Sequence, residues 1–364
     1  MLNPNDILKD KNTFESALIQ HSSKEGRAEL SKGELNRLMR SPYRERQYHT
    51  FQIPKKSGGF RAITAPTGKL KHVQSFIADA LSGIVHFDTS VNGFVKSRSV
   101  VTNARMHLGK NYILNIDLKD FFPSITAEMV QRALAVNGFK SVSKTITELC
   151  TWAEDVDDDL PEQVLPQGAP TSPILSNLVC WHLDYRLQML ADRYGLTYSR
   201  YADDITFSSD HSVYSKDSHF WTELRRIISE CGFAINEEKT RLLKQGCRKE
   251  VTGITVGDKL NVPRKWLKNL RAAIFQMEMF GCSEQERRRI RGKLSYLKMI
   301  RGDDDLYTRL FYRYCDALCS PPFLELHKLP DYYSRPLLRA SSLIAVFDES
   351  EYDEDEPDNP YNPF

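Results

Sequence analysis

Short apolar runs along the chain are set between polar, glycine- and proline-bearing punctuation, and the period of each run predicts its element. The first fifty residues are polar and predict helices, with a turn near Ser41-Pro42. Tyr48-His49-Thr50-Phe51-Gln52-Ile53-Pro54 reads as a strand, Lys55-Lys56-Ser57-Gly58-Gly59 as a turn, and Phe60-Arg61-Ala62-Ile63 as the returning strand. Lys69 to Leu81 predicts a helix, and Asn111 to Leu118 a short apolar strand. Thr126 is placed to cap a helix reaching Val136, with Glu128 in its first turn, where the helix dipole favours negative charge. Pro173 opens a long helix, its apolar Leu175, Leu178, Val179, Leu183, Leu187 and Leu190 falling near helical spacing. Leu196 to Ser208 reads as a hairpin broken by Ala202-Asp203-Asp204, and Phe220 to Cys231 as a helix. Val251 to Val262 is strand-like with a turn at Gly257-Asp258, and Lys265 to Leu318 is helical and basic.

Composition adds a size and a compartment. With 364 residues, 41% hydrophobic and 27% charged, the chain has the make-up of a soluble protein of two or three structural units. No apolar run approaches the roughly 18 residues of a membrane span. The N-terminus lacks the layout of a signal peptide, so the cytoplasm is the expected location and no membrane partner is expected. Seven cysteines, without a C-x-x-C pair, predict reduced thiols and no zinc site. An acidic insertion, Trp152 to Gln163 with Asp155, Asp157, Asp158 and Asp159, reads as a solvated loop.

The net charge of +2 hides an asymmetry. From Arg241 to Arg301 there are 16 Lys/Arg against 5 Asp/Glu, whereas Asp348 to Asp358 holds eight acidic residues and no basic ones. The basic stretch suits a polyanion such as nucleic acid, and equally a solvated helix face. The acidic end is expected to be disordered.

The candidate chemistry lies in carboxylates. Asp203-Asp204 sits at the bend between Leu196-Thr-Tyr-Ser-Arg-Tyr-Ala and Ile205-Thr-Phe, and Asp117 closes the strand Tyr112-Ile-Leu-Asn-Ile-Asp. Adjacent carboxylates repel unless a cation neutralises them. Alone, a strand-end aspartate is a turn former and an Asp-Asp pair is solvated. Together they meet the needs of two Mg2+ ions about 4 Å apart, which hold an attacking hydroxyl and a leaving pyrophosphate in line. Asp117 and Asp203 would bridge both ions, with Asp204 nearby and the Leu118 carbonyl as a further ligand. Between them, Leu165-Pro-Gln-Gly-Ala-Pro-Thr-Ser-Pro173 is a loop stiffened by three prolines, with Gly168 permitting close backbone approach. Such a loop shapes a nucleotide pocket or serves as a tight connection.

These pieces, in order, resemble a known set. Asn115-Ile-Asp117-Leu-Lys-Asp120-Phe-Phe122 resembles the first catalytic motif of reverse transcriptases, Leu165–Pro173 the second, and Tyr201-Ala-Asp-Asp204 the third. Gly232-Phe-Ala-Ile-Asn236-Glu-Glu-Lys239-Thr240 resembles the fourth. Asn103-Ala-Arg-Met-His107 and Val251-Thr-Gly253 resemble signatures of retron reverse transcriptases.

The resemblance implies an α+β right-hand polymerase of fingers, palm and thumb, with an antiparallel palm sheet and a helical thumb. It divides the chain into a helical extension (1–47), a reverse transcriptase core of fingers and palm (48–262), a basic thumb that binds RNA (263–320) and a C-terminal segment (321–364). It assigns Lys55 and Arg61 to the incoming triphosphate; Arg61 is the better placed, because guanidinium suits bidentate phosphate contact. Phe122 becomes the aromatic gate that excludes a 2′-hydroxyl, Gln167 a contact to nucleotide and template, and Lys239 a proton donor to pyrophosphate. Asn103, His107, Arg287, Arg288, Arg291 and Tyr296 become nucleic-acid contacts. The implied partners are deoxynucleoside triphosphates, a structured non-coding RNA that is both template and primer, its branched DNA product (msDNA), and an effector protein in phage defence. About 46 residues follow Leu318, too few for an RNase H fold, so a separate cellular RNase H is expected to trim the template. Two other readings compete: a group II intron-type enzyme, and a polymerase fold kept only to hold RNA or restrain an effector. The two retron-like strings and the short chain weigh against the first, and the intact Asp117, Asp203, Asp204, Gln167 and Phe122 against the second.

Overall fold

The computed structural model describes residues 4–24, 30–41, 43–55, 58–153, 162–280, 282–302 and 308. The expected acidic loop at Asp155–Asp159, Pro42 of the expected turn, most of the stretch beyond Gly302 and the acidic tail lie outside the described residues. The chain forms two compact units that divide between Cys247 and Arg248.

The first unit opens with helices α1 (Pro4–Ile7), α2 (Lys11–Lys24) and α3 (Lys32–Leu38), followed by a hairpin, β1 (Tyr48–Pro54) and β2 (Phe60–Pro66). Helices α4 (Gly68–Ser82) and α5 (Val100–Arg105) lead to strand β3 (Tyr112–Leu118), then α6 (Ala127–Leu134) and α7 (Ser143–Cys150). Helices α8 (Ser172–Val179) and α9 (Trp181–Tyr194) precede strands β4 (Thr197–Tyr201) and β5 (Asp204–Ser209), helix α10 (His219–Glu230) and strand β6 (Ile235–Leu243). The starts of α3, α6 and α10 follow cap chemistry: Ser31, Thr126 and Ser218 each accept a hydrogen bond from a first-turn backbone N–H.

Leu8, Phe14, Leu18, Leu35 and Leu38 share one apolar core with α4, α6 and the sheet, so the first 47 residues are part of this unit and not an appendage. The helix expected to run unbroken from Pro173 is two helices meeting at Cys180, where ψ is −4°. Its apolar residues change role at the break. Ile174, Leu175 and Leu178 are buried with their polar neighbours Ser172, Ser176 and Asn177, whereas α9 buries Leu183, Leu187 and Leu190 and exposes Trp181, Tyr185 and Met189.

The central sheet is antiparallel in the order β4-β5-β3-β6. Its register pairs Asp117 with Asp204, Asn115 with Thr206 and Ile113 with Ser208. Directly opposed residues share a face, so these six line one face. Leu114, Ile116, Ile205 and Phe207 point to the other, into the core.

A buried ion pair braces this sheet against α8 and α9. Arg200 on β4 is fully buried and donates from Nε and Nη2 to the two oxygens of Asp184 on α9, at 2.6 and 2.7 Å. Its Nη1 donates to Asn177 Oδ1 and to the carbonyl of Ala202, both at 3.1 Å. Tyr198 adds a hydroxyl donor to Asp184 at 2.7 Å. Both charges therefore have their hydrogen bonds met, the condition for tolerating them out of water.

The second unit contains strands β7 (Glu250–Val251), β8 (Ile254–Val256) and β9 (Leu260–Asn261) and helices α11 (Arg264–Phe280) and α12 (Glu284–Arg301). Thus Val251–Val262, expected in the core with the palm, belongs with the basic helices. Val251 pairs with Ile254 across a turn of Thr252 (φ 47°) and Gly253 (φ 79°), the doubly left-handed geometry of a tight hairpin. A Ser283–Glu286 capping box starts α12, which buries Ile290, Leu294, Leu297 and Ile300. Among the described residues no helix is long and apolar enough to cross a membrane.

Removing one partner of the buried pair leaves the other charge stranded. Asp184→Asn is therefore expected to lower the unfolding free energy by about 3–5 kcal/mol, read from urea denaturation. A loss below about 1 kcal/mol, the range of exposed pairs, would show that the pair does not brace the sheet.

Candidate active site

Two distant stretches of chain meet at one end of the sheet. Asp117, at the end of β3, lies opposite Asp204, the first residue of β5, and the Leu118 N–H donates to the Asp203 carbonyl at 3.0 Å. Asp117 also lies opposite Asn236 on β6, past a register irregularity between Asn115 and Asp117. The bend carrying Asp203 depends on Ala202 in the left-handed region (φ 57°), its carbonyl held by Arg200. Gly93 backs the same bend: a Cβ there would stand 2.3 Å from the Ala202 nitrogen and 2.9 Å from the Tyr201 carbonyl carbon, so only glycine fits.

The electrostatics are those of crowded carboxylates. Burial, then Asp203 and Asp117, push the Asp204 carboxyl up to about 8. Burial and Asp117 also raise Asp203, while Lys239 and Arg61 oppose the rise. The Lys239 ammonium donates to both Asp117 oxygens, at 3.0 and 3.2 Å, and Asn236 Nδ2 donates to Oδ2 at 3.0 Å. Three oxygen-only side chains that repel one another suit a hard divalent cation. Among the described residues no three such side chains converge on a single point, and Lys239 lies on Asp117.

Other predicted residues take varied positions. Phe122 is half-buried, packed between Phe121 (centroids 5.3 Å apart) and Phe94 (6.2 Å). The Gln167 carbonyl accepts the Thr64 N–H at 2.8 Å, tying its loop to β2. Gly168 (φ 130°) sits so close to Ile63 and Thr64 that a Cβ would stand 2.8 Å from the Ile63 methyl. Arg61, on the same strand β2, is near enough to Asp203 for its charge to lower that carboxyl's proton affinity. Lys55 is exposed at the hairpin turn.

Asn103 and His107 correct the expectation. Both are fully buried, so neither is open to a nucleic-acid strand. His107 Nδ1 bonds the Ser208 hydroxyl at 2.7 Å and Nε2 that of Ser199 at 2.8 Å, fastening its segment to the face that carries Asp117 and Asp204. Tyr296 likewise packs against Trp266, with centroids 5.8 Å apart. At roughly 100° per residue, Tyr296 falls on the opposite side of α12 from Arg287. Arg287 is half-buried beside Glu284, while Arg288 and Arg291 are exposed.

Sequence reasoning passed over Arg200, Asp184, Asn177 and Gly93, which hold the bend without touching its carboxylates. Only Arg200 carried a signal, a charge in an otherwise uncharged strand. Asn236 stood in the fourth motif without a role.

Comparison with known proteins places the chain. The family described as "Reverse transcriptase (RNA-dependent DNA polymerase)" matches residues 53–256. The retron Mx65 reverse transcriptase of Myxococcus xanthus is 39% identical over 270 residues, 71% of this chain and 63% of that protein. Retron Mx162 reverse transcriptase, also from M. xanthus, is 35% identical over 62% of this chain and 52% of its own length. The retron Ec86 reverse transcriptase of Escherichia coli is 34% identical over 72% of this chain and 79% of its own length. The chain belongs to the reverse transcriptase family, and within it to the retron type. It spans between half and two thirds of the two M. xanthus relatives.

Burial lowers the His107 imidazole from 6.5 to about 3, with Lys110 adding to the shift. Across that window the unfolded chain binds a proton that the folded chain refuses. Stability from this group is complete above about pH 6.5 and is lost toward pH 3, at up to about 1.4 kcal/mol per pH unit. Urea midpoints between pH 7 and pH 4 should fall more steeply for the parent than for His107→Gln. Parallel profiles would contradict a buried neutral imidazole.

Proposed function

We propose that this chain is an RNA-directed DNA polymerase that makes branched, RNA-linked single-stranded DNA from a structured RNA. The supporting observation is the register that sets Asp117 opposite Asp204 with Asp203 at the bend. Asp117, Asp203, Asp204 and the Leu118 carbonyl would hold two Mg2+ ions, whose chemistry is to acidify the attacking hydroxyl and neutralise the departing pyrophosphate. Arg61, with Lys55 beyond it, grips the triphosphate. Gln167 meets the nucleotide and template from a loop anchored on β2. Phe122 lies under the sugar, where a 2′-hydroxyl would clash. Lys239 turns from Asp117 to the leaving group and supplies a proton. The attacking group is first the 2′-hydroxyl of a guanosine in the RNA and thereafter the 3′-hydroxyl of the growing DNA.

In this reading the first unit is fingers and palm. The second is the thumb, with Arg287, Arg288 and Arg291 of α12 on RNA phosphates. Asn103, His107 and Tyr296 support these surfaces from within. A separate RNase H trims the template, and the RNA–DNA product with the enzyme joins an effector protein in phage defence.

Asp203→Asn separates chemistry from binding. Removing a metal ligand costs several kcal/mol of transition-state stabilisation, so extension of oligo(dT) on poly(rA) should fall by about 10³-fold or more. Filter binding of RNA should stay within about threefold, since its phosphates are gripped elsewhere. Equal loss of both would contradict the division of roles, and undiminished extension would remove Asp203 from the catalytic set.

A further inference from the structure

The loop between Val91 and Arg98 carries two non-glycine residues in the left-handed region, Phe94 (φ 60°) and Ser97 (φ 66°). A bulky aromatic is disfavoured there and persists only when its surroundings over-determine it. Both ends of the loop are fixed. At one end Asn92 N–H donates to the Arg200 carbonyl at 2.8 Å, and Gly93 lies against Ala202 too closely for any side chain. At the other, the Arg98 guanidinium donates to the carbonyls of Phe87 (2.9 Å), Val91 (2.5 Å) and Asp88.

The strained residue does not use its ring for the core. Phe94 is 42% exposed, and its ring stands 6.2 Å from that of Phe122, tilted by 39°. Phe121, buried and stacked on Phe233 (5.8 Å), supports Phe122 from inside. Phe94 supports it from the open side. The loop seated on the catalytic bend therefore also delivers a ring to the sugar gate.

We propose that Phe94 is a positioning residue for substrate choice: its ring confines Phe122, so that exclusion of a 2′-hydroxyl depends on two rings and not one. The proposal rests on the reading of Phe122 as the sugar gate. Backbone strain at Phe94 is the cost of holding the second ring at the mouth of the site.

The test uses the full chain on poly(rA)·oligo(dT), comparing kcat/KM for dTTP and UTP. Phe94→Gly relieves the backbone and removes the ring. It should lower the dTTP-over-UTP preference by about tenfold, acting more on the KM for UTP than on kcat, with a melting temperature equal to or above the parent's. Phe94→Tyr should restore the preference, and Phe94→Leu, which keeps bulk without a ring, serves if the glycine variant does not fold. Combined with Phe122→Ala, Phe94→Gly should add nothing, since both act on one contact. If Phe122→Ala relaxes the preference and the Phe94 variants do not, Phe94 has no part in it and the gate stands alone. Additive effects in the double variant would likewise overturn the positioning role. If neither residue alters the preference, the gate reading fails and this inference fails with it.

Discussion

The Arg200–Asp184 pair is the constraint on which the site depends. Two half-buried carboxylates stand at a bend whose backbone is left-handed, and burial together with the neighbouring Asp117 raises the proton affinity of both. Left to itself, such a bend would open to solvent. Arg200 prevents this from beneath: one guanidinium joins α9 through Asp184, α8 through Asn177 and the bend through the Ala202 carbonyl. Asn177 in turn donates to the Gly93 carbonyl at 2.9 Å, so the loop behind the bend is held by the same network. Burying this much charge is unfavourable unless all of it is hydrogen-bonded, and a fully bonded network is stiff. Stiffness is what metal ligands on neighbouring strands require.

The opposite face of the problem is met by His107. The sheet surface bearing the carboxylates carries hydroxyls further along, at Thr206 and Ser208, that would otherwise face the interior unmet. His107 meets Ser208 and Ser199 with its two ring nitrogens, and Thr206 donates to Asn115 at 3.1 Å. A short string resembling a retron signature is, in this chain, an internal polar fastener. Val251-Thr-Gly253 is similarly local: two left-handed residues close a hairpin beside the basic helices.

Much of this was legible in the sequence because it is written in local periods. Short β-favouring runs between turn residues predict β1, β2, β3, β4 and β5, and the strand-end Asp117 and the bend at Asp203-Asp204 follow from the same reading. The cap at Thr126 marks a helix start, whereas the Ser283 cap that splits the basic helical stretch was not read. What escaped is long-range. The break at Cys180 leaves no mark in the sequence, since apolar residues continue near helical spacing on both sides of it. The roles of Arg200 and Gly93 exist only once β4, α9 and the loop at residues 90–93 are brought together. His107 read as a contact to nucleic acid because burial cannot be seen in a five-residue string. The unit boundary at Cys247 was hidden because short strands β7–β9 look like a continuation of the sheet before them.

The central claim is that this sheet end is a polymerase centre serving a structured RNA. The direct measurement is co-expression of the chain with its upstream genomic flank, followed by nucleic-acid extraction and enzymatic debranching. The account predicts a short DNA joined to RNA that is released by debranching and absent with Asp203→Asn. Extracts without any such DNA, from cells that contain the folded chain and the flank's RNA, would contradict it.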